Sequence, residues 1–538
     1  MTETGLDNRI VLPQWLDFRK AAEQREAYAF ERELARQDYG PSIAAFTEAF
    51  ADFEREPSPF VATELMGIAH VLRQDDTARR LAEYVLSQSI VGLVALNQAR
   101  RILGDQGRAQ STDLHERVKI TKSHVRQFPR DAIAWLEQAR LYTILGQRYK
   151  ARVAIMAALQ LAPTHRYIVR SAIRFFMHFD WWDDALRCAE RAYAATSDPL
   201  ILGPLLSVAT HLQKLPQKLK LLAQSALNAP NHFLFSETLE AIGTLEIIYG
   251  AEKKSRRFFK RAWIDPAKAV ISHSQWVLRE HLPGLATEQR IDFSQSPEAL
   301  SWLRYAVLDL RGAIAGTQEW ELEEPYARRP NILGSSIACV ADDFTGAEAI
   351  AKRGLKANPH DVTLINNLAF AQLRSGRVAD AENTFAPLKQ ILSEQNQIAP
   401  IATYGLLLMS QGHFDEGVAQ YVEAVNRAKS AADLTSATRA TLNLLISMFE
   451  TAKKLDPVLL KATSNALKAA TDPGCFATGI SLARKLAKAN ISGSDPIATA
   501  SREFIECVQI EKNRFLNSVF ACLLPRIASS SVAEAAST

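Results

Sequence analysis

Apolar residues recur along most of the chain at the three- and four-residue spacing of amphipathic helices, and the runs stop at glycine or proline. In residues 131–163, a first run begins near Trp135 and ends at Gly146, and a second run ends at Pro163. Long alternating runs bounded by hairpin turns, the sign of β-strands, are missing from the sequence. The pattern therefore predicts an all-α fold built from short helices.

Small residues return along this pattern at a regular step of about 34 residues, a length typical of helix-pair repeats. The second helix of residues 131–163 carries Ala151 and Ala158. Successive steps, the last one two residues longer, lead to the pairs Ala185 and Ala192, Leu219 and Ala226, and Ser255 and Ala262. Small side chains are favoured where two helix axes approach closely. Since a pair of short helices cannot bury both of its apolar faces alone, the period predicts a stack of helix pairs.

The strength of the repeat varies along the chain and suggests a division into segments. The period returns at Ala347 and Ala381, and it is faint near the start. The predicted segments are degenerate helical repeats in 15–130, a central array in 131–269, an irregular helical insert in 270–330, a second array in 331–430, a helical cap in 431–527 and a disordered tail in 528–538. The insert is expected to contain longer apolar helical runs between Trp302 and Ile314.

The order of Trp, Tyr, Gly, Ala, Ala and Pro in residues 131–163, together with the period of the small residues, resembles the tetratricopeptide repeat. The resemblance covers most of residues 26–430. It implies a right-handed α-solenoid in which the first helix of each pair lines a concave groove. It also implies a non-enzymatic scaffold or adaptor that binds a protein partner through that groove.

The groove positions that the resemblance implies hold basic and amide side chains. They are Arg140, Arg170, Arg174, His178, Asn366 and Asn367. Because arginine pairs bidentately with carboxylates, they predict a protein partner with an acidic or extended segment. The alternative is that the basic groups pair within the chain, with Glu137 or Asp180, and the sequence leaves both interpretations open.

A second candidate surface is a helix with six cations on one face. They are Lys253, Lys254, Arg256, Arg257, Lys260 and Arg261, which span an arc of roughly 160° on a helix that turns ~100° per residue. Phe258, Phe259 and Trp263 occupy the opposite side. The face favours nucleic-acid binding as an alternative function, although such runs are more often solvated outer faces.

Composition narrows these possibilities. The 538 residues carry a net charge of +4, which gives no general case for nucleic-acid binding. The five cysteines contain no C-x-x-C pair, and the sequence predicts neither a metal site nor a cofactor. The beginning of the chain lacks the features of a signal peptide, and no apolar run reaches the ~18 residues of a membrane span. A cytoplasmic protein is therefore expected.

Two short motifs suggest enzymes. Residues 340–347 resemble a signature of acid-sugar kinases, but they keep the repeat register and are interpreted as a helix start. Arg117 and His124 match the loose Arg/His spacing of one helical ribonuclease family, a cation and an imidazole that suit RNA cleavage. The spacing is permissive enough to arise by chance. A cryptic ribonuclease is thus kept as a second alternative.

Overall fold

The computed structural model describes residues 10–15, 43–71, 74–88, 93–103, 114–214, 219–282, 285, 291–394, 397–452, 455–489 and 496–523. Within these ranges the regular structure is helical and contains no β-strand. This confirms the predicted all-α, helical-repeat fold. The predicted disordered tail, 528–538, lies outside the described residues. The chain divides into two compact units, with the boundary between Val270 and Ile271.

The helices of the first unit follow one another with short connections. They are α1 (Ile43–Arg55), α2 (Pro59–Val71), α3 (Asp75–Ser87), α4 (Leu93–Ile102), α5 (Leu114–Gln127), α6 (Ala132–Ile144), α7 (Arg148–Leu161), α8 (Arg166–His178), α9 (Trp182–Thr196), α10 (Pro199–His211), α11 (Leu219–Asn228), α12 (His232–Ile248) and α13 (Glu252–Ala262). The next helix, α14 (Lys268–Glu280), crosses the boundary.

These helices pack as the period of the small residues predicts. The helix α6 pairs with α7, α8 with α9, and α12 with α13. The first helices α6, α8, α10 and α12 also contact one another in order, and they form what is called here the first-helix layer. Ala151, Ala185 and Ser255 are fully buried in the second helices, because larger side chains there would hold the helices apart.

Helix ends are set by side-chain caps and by glycine. The Asp131 carboxylate accepts a hydrogen bond from the Ala134 backbone N–H at 2.9 Å and begins α6. Gly146 ends the same helix region with a left-handed backbone, at φ +67°. The connection between α6 and α7 is therefore a tight turn that makes the two helices antiparallel neighbours.

The second unit continues the same construction. Its helices are α15 (Pro297–Ala306), α16 (Leu310–Glu323), α17 (Arg328–Val340), α18 (Phe344–Ala357), α19 (Val362–Arg374), α20 (Val378–Phe385), α21 (Ile398–Ser410), α22 (Phe414–Ser430), α23 (Leu434–Ala452), α24 (Pro457–Lys468), α25 (Pro473–Lys488) and α26 (Pro496–Leu523). The last four form the segment predicted as a cap, and α25 packs back against α17.

Residues 297–323, inside the segment expected to be an irregular helical insert, form α15 and α16. The apolar run from Trp302 to Ile314, expected to be helical, is divided between them by a turn at Leu308, where φ is +63°. Asp309 then caps α16 by accepting from the Gly312 N–H at 2.9 Å. The same cap recurs one repeat period later at Asp343, so α15 and α16 form another helix pair in the repeat register.

Candidate partner-binding surfaces

The structure places the three groove arginines in the packed interior. Arg140 is 3% exposed, Arg170 is 8% exposed and Arg174 is 6% exposed. All three belong to the first-helix layer, on α6 and α8. The expectation that their guanidinium groups face an open groove is therefore corrected, because the helices and segments around them cover them.

Arg140 and Arg170 lie beside carboxylates of the same chain. Arg140 Nη1 lies 3.5 Å from Glu137 Oε1, which is the internal pairing considered from the sequence. Arg170 instead pairs with Glu237, a residue of α12 that the sequence did not suggest. Both pairs lie within the first unit, and the second of them joins two helices of the repeat stack.

The remaining groove positions are also enclosed. His178 is partly buried, and its ring lies edge-on to Phe179 with the ring centroids 4.6 Å apart. In the second unit, Asn366 is 6% exposed. The side-chain amide of Asn367 donates to the hydroxyls of Ser335 and Ser336, both at 3.0 Å. Asn367 therefore binds α17 of the neighbouring helix pair.

A non-helical segment near the start of the chain packs against the first-helix layer. Residues 10–15 lie outside any helix, and Ile10, Val11 and Trp15 are buried. The Trp15 ring meets Phe175 of α8 edge-on, with a centroid distance of 5.9 Å and an interplanar angle of 90°. Sequence reasoning missed this contact. Its only signal was the apolar string from Ile10 to Trp15 outside any helical pattern.

Phe175 belongs to an aromatic cluster that provides the seat for Trp15. Its ring contacts those of Phe176, Phe179 and Trp181, at centroid distances of 5.4, 5.1 and 5.7 Å. Aromatic pairs of this edge-to-face kind contribute about 0.5–1.5 kcal/mol beyond the burial of their area. The cluster therefore gives α8 a binding position for one further aromatic side chain.

The six cations of α13 do not form one free basic face. Lys253, Arg257 and Lys260 are exposed, and Lys253 and Arg257 make no hydrogen bond or ion pair with any residue that the structure describes. Neighbouring groups bind the other three: Lys254 pairs with Glu246, Arg256 Nη2 with Glu252 Oε1 at 2.9 Å, and Arg261 Nη2 donates to the Ala229 carbonyl at 3.2 Å. Phe258, Phe259 and Trp263 are buried on the opposite side, as the pattern predicts.

The residues of the ribonuclease hypothesis serve the packing of α5 against α6. His124 is 8% exposed, and its Nε2 lies 2.9 Å from Oδ2 of Asp131, the cap of α6. Arg117 Nη2 lies 3.7 Å from Glu137 Oε1. A buried imidazole held by a capping aspartate cannot reach a substrate, so this hypothesis loses its proton-transfer group.

Residues 340–347, the kinase-like motif, form the turn between α17 and α18. Asp342 has a left-handed backbone at φ +59°, and Asp343 accepts a hydrogen bond from the Gly346 N–H at 2.9 Å. The motif is a helix cap. In the described part of the chain, no three His, Cys, Asp or Glu side chains are grouped for a metal ion. No described helix is both long enough and apolar enough to cross a membrane.

Comparison with known proteins yields distant structural similarities. No family model and no curated protein sequence matches the chain. The crystal structure of yeast Tom70 is 10% identical and covers 85% of this chain and 96% of its own, with a TM-score of 0.28. The structure of Naa15/Naa10 bound to HypK-THB is 13% identical and covers 89% and 99%, with a TM-score of 0.24. At these TM-scores the similarity carries no argument about function.

Proposed function

We propose that this protein is a non-enzymatic scaffold that binds a non-helical segment of a protein partner against the first-helix layer. The observation that supports it is the contact of the buried Trp15 ring with Phe175 of α8. A surface that buries an aromatic side chain of its own chain can bind a similar side chain of another protein. The proposed site of action is the cytoplasm, as expected from the sequence.

The chemistry of residues 10–15 defines the partner segment. Pro13 favours an extended backbone at Leu12. Trp15 provides an aromatic anchor that is 0% exposed. The Arg170 guanidinium is already paired with Glu237, which removes it as a receptor for a partner carboxylate. The partner segment is therefore expected to be extended and to carry aliphatic and aromatic side chains. Acidic side chains are expected to contribute less to its binding than the sequence suggested.

The experiment uses the full chain with Trp15→Ala and a fluorescent peptide of sequence Ile-Val-Leu-Pro-Gln-Trp. In the wild-type protein, residues 10–15 compete with the peptide at an effective concentration of about 1 mM, because they are tethered. The variant lacks the anchor and is expected to bind the peptide at least about ten-fold more tightly than wild type, measured by fluorescence anisotropy.

A peptide that ends in Ala instead of Trp is the matched control and is expected not to bind. Circular dichroism establishes that the variant keeps its helices. If the Trp15→Ala protein binds both peptides equally, or neither, the first-helix layer is not a receptor for this kind of segment and the proposal fails.

Nucleic-acid binding is a second candidate, favoured by the exposed cations of α13. We propose it for Lys253, Arg257 and Lys260. Phosphate contacts release counterions, so the affinity for single-stranded RNA should fall steeply with salt, with a logarithmic slope of about −0.7 for each contact. Replacing all three by glutamine should reduce the slope by about 2. A slope that is unchanged in the variant would exclude this face.

A further inference from the structure

Three apolar side chains form an exposed ridge on α7. Tyr149 is 79% exposed, Val153 is 52% exposed and Met156 is 42% exposed. Their spacing of four and three residues places them on one side of the helix. The ridge is about 10 Å long at 1.5 Å per residue. Single apolar residues scattered over a surface are ordinary. A continuous apolar ridge exposes more apolar area to water, which is unfavourable, and such patches often mark binding sites.

The same repeat positions hold polar side chains in neighbouring helix pairs. The repeat period, with the two-residue extension before α13, identifies the equivalent positions in α5, α9 and α13. They are His115, Lys119 and Lys122; Asp183, Arg187 and Glu190; and Lys253, Arg257 and Lys260. All nine are exposed, as are the three of α7. The repeat therefore puts these positions in solvent, and only α7 among these four helices fills them with apolar groups.

The helix α11 partly shares this departure. Leu221 holds the middle position there and is 67% exposed, while the first position, residue 217, lies outside the described residues. Because the fold itself does not require apolar groups at these positions, their presence on α7 points to a role outside the folding of the chain.

The surroundings of the ridge are basic. Arg148, Lys150 and Arg152 are exposed beside it, and α7 contains no acidic residue. Arg152 also pairs with Asp184 of α9, at 3.7 Å. Residues 114–161 hold nine Lys and Arg against three Asp and Glu, a net charge of +6, whereas the whole chain carries +4. The helices α5 to α7, the last of which carries the ridge, therefore have a net positive charge.

We propose that the Tyr149–Val153–Met156 ridge docks an amphipathic helix of a protein partner whose apolar stripe is flanked by acidic residues. A single ridge of residues spaced four and three apart fits the groove between the side-chain rows of one opposing helix. The basic flanks of α7 attract the carboxylates of that helix and set its orientation. This surface is separate from the first-helix layer, so it does not depend on the scaffold proposal.

The chemistry of the ridge favours an amphipathic helix over a nucleic acid or a second copy of this chain. The cations beside the ridge could contact a phosphate backbone, but Val153 and Met156 offer it neither a hydrogen bond nor a charge. An amphipathic helix with acidic flanks matches both the apolar side chains and the cations. A stable dimer buries about 800 Å² on each partner, more than three side chains of one helix supply. A small apolar ridge with charged flanks is typical of a transient complex with a helical segment.

The experiment measures binding of a fluorescent 18-residue helical peptide (about five turns) with a leucine stripe and glutamate flanks to the full-length protein. Val153→Glu places a negative charge in the middle of the ridge and is expected to weaken binding at least about ten-fold. Because Val153 is 52% exposed, the substitution leaves the core intact, and the melting temperature should match wild type.

Val422→Glu is the matched control, since Val422 is 46% exposed on α22 in the other unit, and it should bind the peptide as wild type does. A peptide with lysine in place of glutamate should bind at least about ten-fold more weakly. Failure of wild type to bind the glutamate peptide, or equal binding by the Val153→Glu protein, overturns the proposal. So does a Val153-dependent dimer, or Val153-dependent binding of single-stranded RNA in place of the peptide.

Discussion

Arg170 and Glu237 form a bidentate ion pair that joins α8 to α12 across the intervening repeat. Arg170 Nη1 lies 2.7 Å from Glu237 Oε2, and Nη2 lies 2.8 Å from Oε1. The Glu237 side chain is 1% exposed. The arginine also donates to the Leu200 carbonyl of α10, so one side chain contacts three helices of the first-helix layer. The pair fixes the spacing of consecutive repeats.

Glu237→Ala should destabilise the first unit by about 3–5 kcal/mol, because it leaves the Arg170 guanidinium buried without its carboxylate. Urea denaturation followed by circular dichroism measures the loss. Replacing both residues by methionine should recover most of it, since the buried charge is then absent.

The exposed pair of Asp183 and Lys214, at 2.7 Å in the same unit, provides the control. Water screens an exposed pair, so Asp183→Ala should leave the free energy of unfolding almost unchanged. Equal losses for Glu237→Ala and Asp183→Ala would contradict the role assigned to the buried pair.

Gly203 of α10 lies directly beside this ion pair. A Cβ added there would come within 2.7 Å of Glu237 Cβ and 3.0 Å of the Thr238 backbone N. Gly203→Ala should therefore lower the free energy of unfolding by about 1–3 kcal/mol through overpacking, despite the better helix propensity of alanine.

Gly479→Ala is the same substitution at a position that has room for the added Cβ atom. The nearest atom to an added Cβ there is Leu467 Cδ1 at 3.4 Å, an ordinary contact. This variant should be neutral or more stable by up to about 1 kcal/mol. A chemical denaturation experiment that ranks Gly203→Ala as the more stable of the two variants would contradict the predicted overlap at Gly203.

The thiols of Cys339 and Cys475 should be unreactive in the folded protein at neutral pH. Burial raises the pKa of each thiol from its ordinary value of 9.0 to about 12, so almost no thiolate is present. Iodoacetamide should alkylate both slowly in the native state and rapidly after unfolding, as followed by mass spectrometry. Rapid native alkylation of the fully buried Cys475 would contradict this.

The same pKa shifts predict a loss of stability in alkali. An unfolded thiol loses its proton near pH 9, whereas the folded thiols keep theirs until about pH 12. The stabilisation is complete below pH 9 and is lost as the pH rises through this window. Equilibrium denaturation between pH 8 and 12 measures the decline.

The sequence predicted the repeat because small residues must recur where helices approach. Ala151, Ala185 and Ser255 are all fully buried at the expected positions. The repeat in residues 297–323 escaped detection because its turn uses Leu308, an apolar residue in a left-handed conformation, where glycine is usual. The caps at Asp309 and Asp343, which are one repeat period apart, were the available signal.

The surfaces were harder to predict than the fold. Position in a repeat identifies the helix that carries Arg170, but it does not reveal a carboxylate 67 residues away that encloses it. The repeat position of Val153 is held by Lys119 and by Arg187 in the neighbouring repeats, so the sequence shows that an apolar residue replaces a charged one there. The replacement indicates a surface ridge only when the position is known to be exposed.

The packing of Trp15 on Phe175 has a consequence during synthesis of the chain. The seat for Trp15 lies far later in the sequence, on α8. At a ribosomal rate of about 5–20 residues per second, roughly 8–32 s pass between the appearance of Trp15 and that of its seat. During this interval the nascent chain presents an unprotected aromatic segment, which chaperones can bind before α8 exists.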